Sequence, residues 1–387
     1  MSAPTGSASQ PKGRKVITTG LPGPTDEPPP VRLLDPEGRR VEDPRWPLDL
    51  STEEERSLYR DMALLRRFDA EATTLQRQGE LGLWASLLGQ EAAQIGAGRA
   101  LDLRDFVFSS YREHGVAWCR GVDPVGMLGF WRGTAHGCWD PYQAGMANYQ
   151  VVVGGHAPHG VGYAMGMQRD GADGAVLVCF GDGATSQGDV NEAFTFAAVY
   201  GAPVVFYCQN NQWAISEPLE RQTRVPLYRR AVGFGFPGIQ VDGNDVLACL
   251  AVARGALEHA RSGAGPVLVE AVTYRMAPHT TSDDATRYRS GEEVEEWAAQ
   301  DPLVRMRAHL ETTGRPDAGF FKEVDEEAGA LAVRVRGGCR AMPDPPPTAI
   351  FDHVYAGPHA LLDAQREEFT AFQAQFEDAP WPSGGPA

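Results

Sequence analysis

The stretch AVLVCFGDGATSQGD, residues 175–189, decides the fold. Six residues without a charge or amide, Ala175 to Phe180, stop at Gly181-Asp182-Gly183. An unbroken apolar run of this length, closed by glycines, is the pattern of a strand buried on both faces. Two further runs are strand-like and mostly apolar: Pro203 to Cys208, which leads into Gln209-Asn210-Asn211, and Val267 to Val272, interrupted only by Glu270. Helical stretches are expected between them, at about 188–200 and 246–262. A strand–helix–strand rhythm predicts an α/β fold with a doubly wound parallel sheet and helices on both faces. Ligands of such sheets bind beyond the carboxyl ends of the strands.

Asp182 and Asn211 stand at two such ends. Residues 184–209 between the two motifs leave room for a turn, a crossover helix and a returning strand. If the strands are neighbours, their backbones lie roughly 4.8 Å apart, and both side chains reach one crevice. A carboxylate and an amide are hard oxygen donors. They suit Mg²⁺, which takes six oxygens at about 2.1 Å and commonly accepts some from substrate phosphates. Gly181 and Gly183 would let phosphate oxygens meet backbone N–H groups at the start of the next helix. Other phosphate motifs are missing: there is no G-x-x-x-x-G-K-[ST], and Met165 replaces the third glycine of a dinucleotide fingerprint after Gly160-Val161-Gly162.

The net charge of −16 argues against duplex nucleic acid, whose phosphates need a basic face. No apolar run approaches the ~20 residues of a membrane span. The six cysteines form no C-x-x-C pair, so zinc and dithiol readings have no support. Cys179 and Cys208 read as buried residues of a reducing compartment. Lys12, Arg14 and Lys15 near the start allow a transit peptide, but Pro and Gly break any amphipathic helix there. A flexible tail and a cytoplasmic location are preferred over the mitochondrial matrix.

Residues 1–46, with Pro28-Pro29-Pro30, read as a disordered or draped tail. An α/β domain is expected over 47–342. It opens on a helix capped by Ser51 and Glu54, with Leu58, Met62, Leu65, Phe68 and Ala72 at helical spacing. Residues 343–387, after Pro345-Pro346-Pro347, read as a linker, a short helical segment and an exposed tail.

The flanks of the two motifs carry a resemblance. SSYREHG (109–115), GDGATSQGD (181–189), QNNQWAIS (209–216), VDGNDV (241–246) and YRMAPHTTSDDATRYRS (274–290) together resemble the alpha subunits of thiamine-diphosphate-dependent 2-oxo acid dehydrogenases. The likeness runs from about 50 to 375 and looks closest to the branched-chain type, then to the pyruvate type. It implies thiamine diphosphate and Mg²⁺ as cofactors. It implies Asp182, Asn211 and the backbone carbonyl of Trp213 as metal ligands. Ser110, Tyr111, Arg112, Gly181, Gly183 and Ala184 would contact the cofactor, as would Val151 and Val153 through their backbone. The other reading of Arg112 is a surface ion pair with Glu113.

His279 is implied as the catalytic group that assists the lipoyl-linked steps. Its loop, 275–290, is polar and is expected to gain order only with the diphosphate. His114, His136 and His159 are possible pocket residues. Gln209 departs from members that carry Arg there, and Thr280 stands where animal members carry a phosphorylated serine. The implied partners are a beta subunit, in an assembly of two alpha and two beta chains, a lipoyl-bearing acyltransferase core and a small 2-oxo acid. An acetoin dehydrogenase alpha subunit and a non-catalytic Mg²⁺-dependent anion-binding subunit are the alternatives.

Overall fold

The computed structural model describes residues 29–135, 137, 139–315, 317 and 319–376. Five parallel strands form one sheet in the order β1 (Phe106–Phe108), β2 (Val176–Gly181), β3 (Val204–Asn210), β7 (Val267–Val272), β6 (Gly238–Asp242). A separate hairpin pairs β4 (Trp213–Ala214) with β5 (Glu217–Pro218). The three apolar runs are the three central strands. β2 and β3 are direct neighbours in register, with Gly181 opposite Gln209, so both motifs leave the sheet at the same edge.

The central strands are mostly apolar on both faces because the sheet has a core on each side, Glu270 of β7 and the β3 end Gln209-Asn210 being the buried polar exceptions. Leu177, Cys179, Val205, Tyr207, Val267 and Val269 face one core, with the helices Thr52–Arg77, Glu91–Ala100 and Val246–Arg261. Val176, Val178, Phe180, Val204, Phe206 and Cys208 face the other, with the helices His156–Asp170 and Gly188–Tyr200. The period-2 alternation of side chains therefore sorts residues between two interiors rather than between interior and water. The helix Thr52–Arg77 starts as the sequence predicts, with Ser51 and Glu54 forming a reciprocal capping box.

Two edge strands escaped the sequence reading. β1 is three residues long, and β6 is half exposed over Gly238–Gln240, so neither carries a long apolar run.

The N-terminal expectation needs a correction. Residues 1–28 lie outside the described residues, but 31–46 are not loosely draped. Val31 N–H donates to the Gln240 carbonyl at 2.9 Å and its own carbonyl accepts from Asp242, extending the sheet edge. Leu33 and Leu34 are buried, and their N–H groups both donate to Asp245 Oδ2. Asp245 Oδ1 at the same time caps the helix Val246–Arg261. One buried carboxylate thus fastens the entering chain to a helix start. After the helix Phe320–Ala341, the segment 347–376 folds as short helical turns and the helix Ala360–Gln373, none of which buries a residue. Residues 377–387 lie outside the described residues.

Candidate functional site

A cavity of about 220 Å³ opens at the carboxyl ends of β2 and β3. Of the residues singled out from sequence, Ser110, Tyr111, Arg112, Val153, Gly181, Asp182, Gly183, Ala184, Asn211, Trp213 and His279 line it. Val151 does not: its side chain is exposed, outside the cavity wall. His114 is a core residue, stacked on Trp84, and His159 is exposed. His136 lies outside the described residues.

Asp182 opens a short 3₁₀ turn, Asp182–Ser186, that precedes the helix Gly188–Tyr200. Its carboxylate is buried and accepts from Gln222 Nε2 at 2.7 Å. Burial pushes its pKa up to about 6, against the opposing pull of that bond. Gly183 is required by the protein itself: a Cβ there would sit 2.7 Å from Ala214 Cβ in the hairpin. The need for a glycine at 183 therefore comes from the fold as well as from room for a ligand.

β3 ends in two asparagines with different fates. Asn210 turns to the buried side and donates to Glu270 at 2.6 Å. Asn211 faces the cavity, its Nδ2 donating to Gln90 Oε1 at 3.2 Å and its Oδ1 accepting from Trp213 N–H at 3.3 Å. The chain then reverses through Gln212 and Ile215, both at positive φ (72° and 57°), and the Trp213 carbonyl between them accepts from Arg275 in the cavity wall. Two left-handed non-glycine residues in one tight excursion mark a backbone held by its surroundings.

Arg112 is no surface ion pair. It is buried and donates to the Ser86 carbonyl and, at 2.8 Å, to the His279 carbonyl. Glu113 instead bonds Ser110 Oγ and Gln209 Nε2, each at 2.8 Å. Behind Arg112, Asp69 holds Ser86 and accepts from Trp84 Nε1 at 2.9 Å.

Arg275 was absent from the sequence-based site, although it is fully buried against the same cavity. Its guanidinium donates to the Trp213 carbonyl at 3.0 Å and to the Ile215 carbonyl at 2.8 Å. Burial, and then the Arg112 charge, lower its pKa to about 10. His279 Nδ1 lies 3.3 Å from Arg112 and 3.4 Å from Arg275. A guanidinium can only donate, so Nδ1 is the acceptor and the ring proton sits on Nε2. Burial and then the two arginines hold the His279 pKa down to about 3, so the ring is neutral.

The loop carrying His279 is tied by bonds within the chain. Its N–H donates to Asp283 at 2.7 Å, Tyr288 bonds the same carboxylate, and Arg289 donates to the carbonyls of Arg275, Met276 and Ala277. These arginines satisfy carbonyls that a polar loop would otherwise leave to water.

Four buried polar atoms around the cavity have no partner: Gln90 Nε2, Gln209 Oε1, His156 Nδ1 and Arg275 Nε. His156 also escaped the sequence reading. Its Nε2 donates to the Cys179 carbonyl at 2.7 Å, which leaves Nδ1 as a bare acceptor. Buried polar atoms are rarely orphaned, and several around one cavity fit a polar ligand. Among the described residues no three His, Cys, Asp or Glu gather as a metal cage. A cation here would rest on one carboxylate, one amide and one carbonyl, and would need further oxygens from the ligand itself. That donor set fits Mg²⁺ with a phosphate group.

Residues 59–332 match the dehydrogenase E1 component family. The chain is 46% identical over 343 residues to the 3-methyl-2-oxobutanoate dehydrogenase subunit alpha of Mycobacterium tuberculosis (strain ATCC 25618 / H37Rv), covering 88% of this chain and 94% of that protein. It is 36% identical over 321 residues to the 2-oxoisovalerate dehydrogenase subunit alpha of Bacillus subtilis (strain 168), covering 80% and 97%. It is 38% identical over 302 residues to the pyruvate dehydrogenase E1 component subunit alpha of Staphylococcus aureus (strain Mu50 / ATCC 700699), covering 78% and 81%.

Proposed function

We infer function from the premise that this chain belongs to the dehydrogenase E1 component family. It is the alpha subunit of a branched-chain 2-oxo acid dehydrogenase, an oxidoreductase acting on 3-methyl-2-oxobutanoate and its relatives. Similarity to the mycobacterial subunit over 88% of this chain supports this substrate class. The observation that carries the chemistry is the convergence of Asp182, Asn211, the Trp213 carbonyl, Arg112 and His279 on one cavity rimmed by orphaned polar atoms.

Thiamine diphosphate, which the family implies, supplies an electron sink for decarboxylation when bound. In this reading Asp182, Asn211 and the Trp213 carbonyl hold Mg²⁺, and the backbone of Gly181–Ala184 faces the diphosphate. Arg112 and Arg275 would set two positive charges beside that anion, since their guanidinium groups bond carbonyls directly and neither forms a direct carboxylate pair among the described residues. Tyr111 flanks His279 edge-on. His279 keeps its proton on Nε2 and serves as a neutral donor to the reacting end of the ligand during acyl transfer to a lipoyl group. The backbone at Val153 borders the other end of the cavity.

A beta subunit completes the site, in an assembly of two alpha and two beta chains, and a lipoyl-bearing acyltransferase receives the acyl group. The domain runs from about residue 31, where the chain joins the sheet edge, to 342, and 347–376 form a helical appendage. A cytoplasmic location goes with the bacterial relatives. The pyruvate enzyme is the second reading, favoured by the 38% identity to the staphylococcal subunit, which is no lower than that to the Bacillus one.

The test is decarboxylation by the chain alone and with its beta subunit, on branched 2-oxo acids and on pyruvate. The chain alone should be inert. The assembly should prefer branched acids, and Asp182→Ala should abolish Mg²⁺-dependent cofactor binding in calorimetry. Pyruvate preference selects the second reading; wild-type cofactor binding by Asp182→Ala removes Asp182 from the metal.

A further inference from the structure

Gln222 belongs to no motif in the sequence, yet it is the side chain nearest in function to Asp182. It ends the four-residue helix Leu219–Gln222, which follows the β4–β5 hairpin. The start of that helix is tied back to the metal-side turn, because Leu219 N–H donates to the Gln212 carbonyl at 3.0 Å. From there Gln222 Nε2 donates to Asp182 Oδ2 at 2.7 Å. Its Oε1 is buried without a partner, so Asp182 is what orients the amide. One excursion of the chain, 211–222, thus delivers Asn211, the Trp213 carbonyl and a clamp on the acid contributed by β2.

We propose that Gln222 is a positioning residue for the cation: it pins Oδ2 of Asp182 and so presents Oδ1 as the ligand. This deepens the reading above and rests on its assignment of Asp182 to Mg²⁺. A carboxylate turns broadly about its terminal torsion. Fixing one oxygen by a neutral donor removes that freedom and disfavours two-oxygen ligation. A neutral amide does so without neutralising the charge the cation needs, as an Arg or Lys at 222 would. Outer partners of this kind typically contribute 10- to 100-fold to metal affinity. The opposite possibility is that the amide merely fills the cation's place and competes with it; the two differ in sign.

The experiment uses the full chain assembled with its beta subunit and thiamine diphosphate, with Mn²⁺ as a paramagnetic probe in place of Mg²⁺. Gln222→Met keeps the length of the side chain and removes the donor. Mn²⁺ affinity should fall roughly 10- to 100-fold, with an altered bound-Mn²⁺ spectrum and an unchanged thermal midpoint in chelator. Affinity that stays within about two-fold of wild type, or rises, overturns the proposal, and a rise identifies the amide as a competitor. If the Met variant loses stability in chelator, Gln222→Ala is read by the same criteria. A wild-type assembly that binds no Mn²⁺ sinks the cofactor reading beneath the proposal.

Discussion

The two sides of the cavity are built to different degrees of completion. On the side of Arg112, Arg275 and His279, the wall is tied by hydrogen bonds to the backbone at Ser86, Trp213, Ile215 and residue 279 itself. On the side of Val151–Val153, three consecutive valines stand 54%, 66% and 42% exposed, although Val153 also borders the cavity. A charged wall can be finished within one chain, because guanidinium groups find carbonyls nearby and hold their direction. An apolar lip gains nothing from water and becomes stable only when covered. On the proposed reading, the difference teaches that this chain would prepare the anionic end of its ligand by itself and leave the other end to a second surface.

The largest effect that could break this comparison lies on the finished side. His279→Ala should lower acyl transfer to a lipoyl domain by roughly 10²–10⁴-fold, the usual contribution of a positioned acid–base or donor group. Thiamine diphosphate affinity should stay close to wild type, because Arg112 and Arg275 keep their backbone acceptors. Unchanged lipoyl transfer would return His279 to a structural role and leave the wall as scaffolding.

The unfinished side should respond in association rather than in folding. Val152→Asp places a charge on the exposed lip, where covering it requires its desolvation. Affinity for the beta subunit should weaken roughly 10- to 30-fold in sedimentation experiments, while the chain alone melts as before. Equal assembly by the variant would show that the lip is covered by something else.

The smallest effect sharpens the comparison from behind the wall. His114 donates through Nε2 to the Ala85 carbonyl and pairs its Nδ1 with the Tyr149 hydroxyl, and burial holds its pKa down to about 3. His156, beneath the lip, is held down to about 4 by burial. In the unfolded chain both take up a proton near pH 6.5. Below that pH the unfolded state binds more protons, so the stability present above pH 6.5 is lost as pH falls toward the folded values. The loss is about 1.4 kcal/mol per pH unit for each histidine. His114→Phe, which keeps the stacking on Trp84 possible, should flatten the urea-unfolding profile by one histidine's share between about pH 5 and 6.5. An unchanged slope would mean that His114 charges inside the folded protein.

Sequence alone determined the parts that depend on contiguous runs. Three mostly apolar strands, their crossover helices and the glycine-bounded end of β2 follow from local burial and periodicity, and so the motifs at 181–183 and 210–211 are legible as lying at one sheet edge. The short or half-exposed strands β1 and β6, and the docking of 31–46, were not legible, because their order comes from neighbours: Val31 from the edge of β6, Leu33 and Leu34 from Asp245. The same division holds in the site. Asp182, Asn211, Arg112 and His279 lie in motifs that the family resemblance marks. His156 and Gln222 lie outside those motifs, and Arg275 lies inside the stretch 274–290 without being singled out, since a lone arginine, histidine or glutamine is chemically ordinary until it is buried beside a cavity. Tertiary structure alone decided that Arg275 reaches the Trp213 carbonyl across 62 residues and Gln222 reaches Asp182 across 40. Hydrogen bonds of that span depend on how β2, β3 and β7 align their ends, and no local property of the chain encodes that alignment.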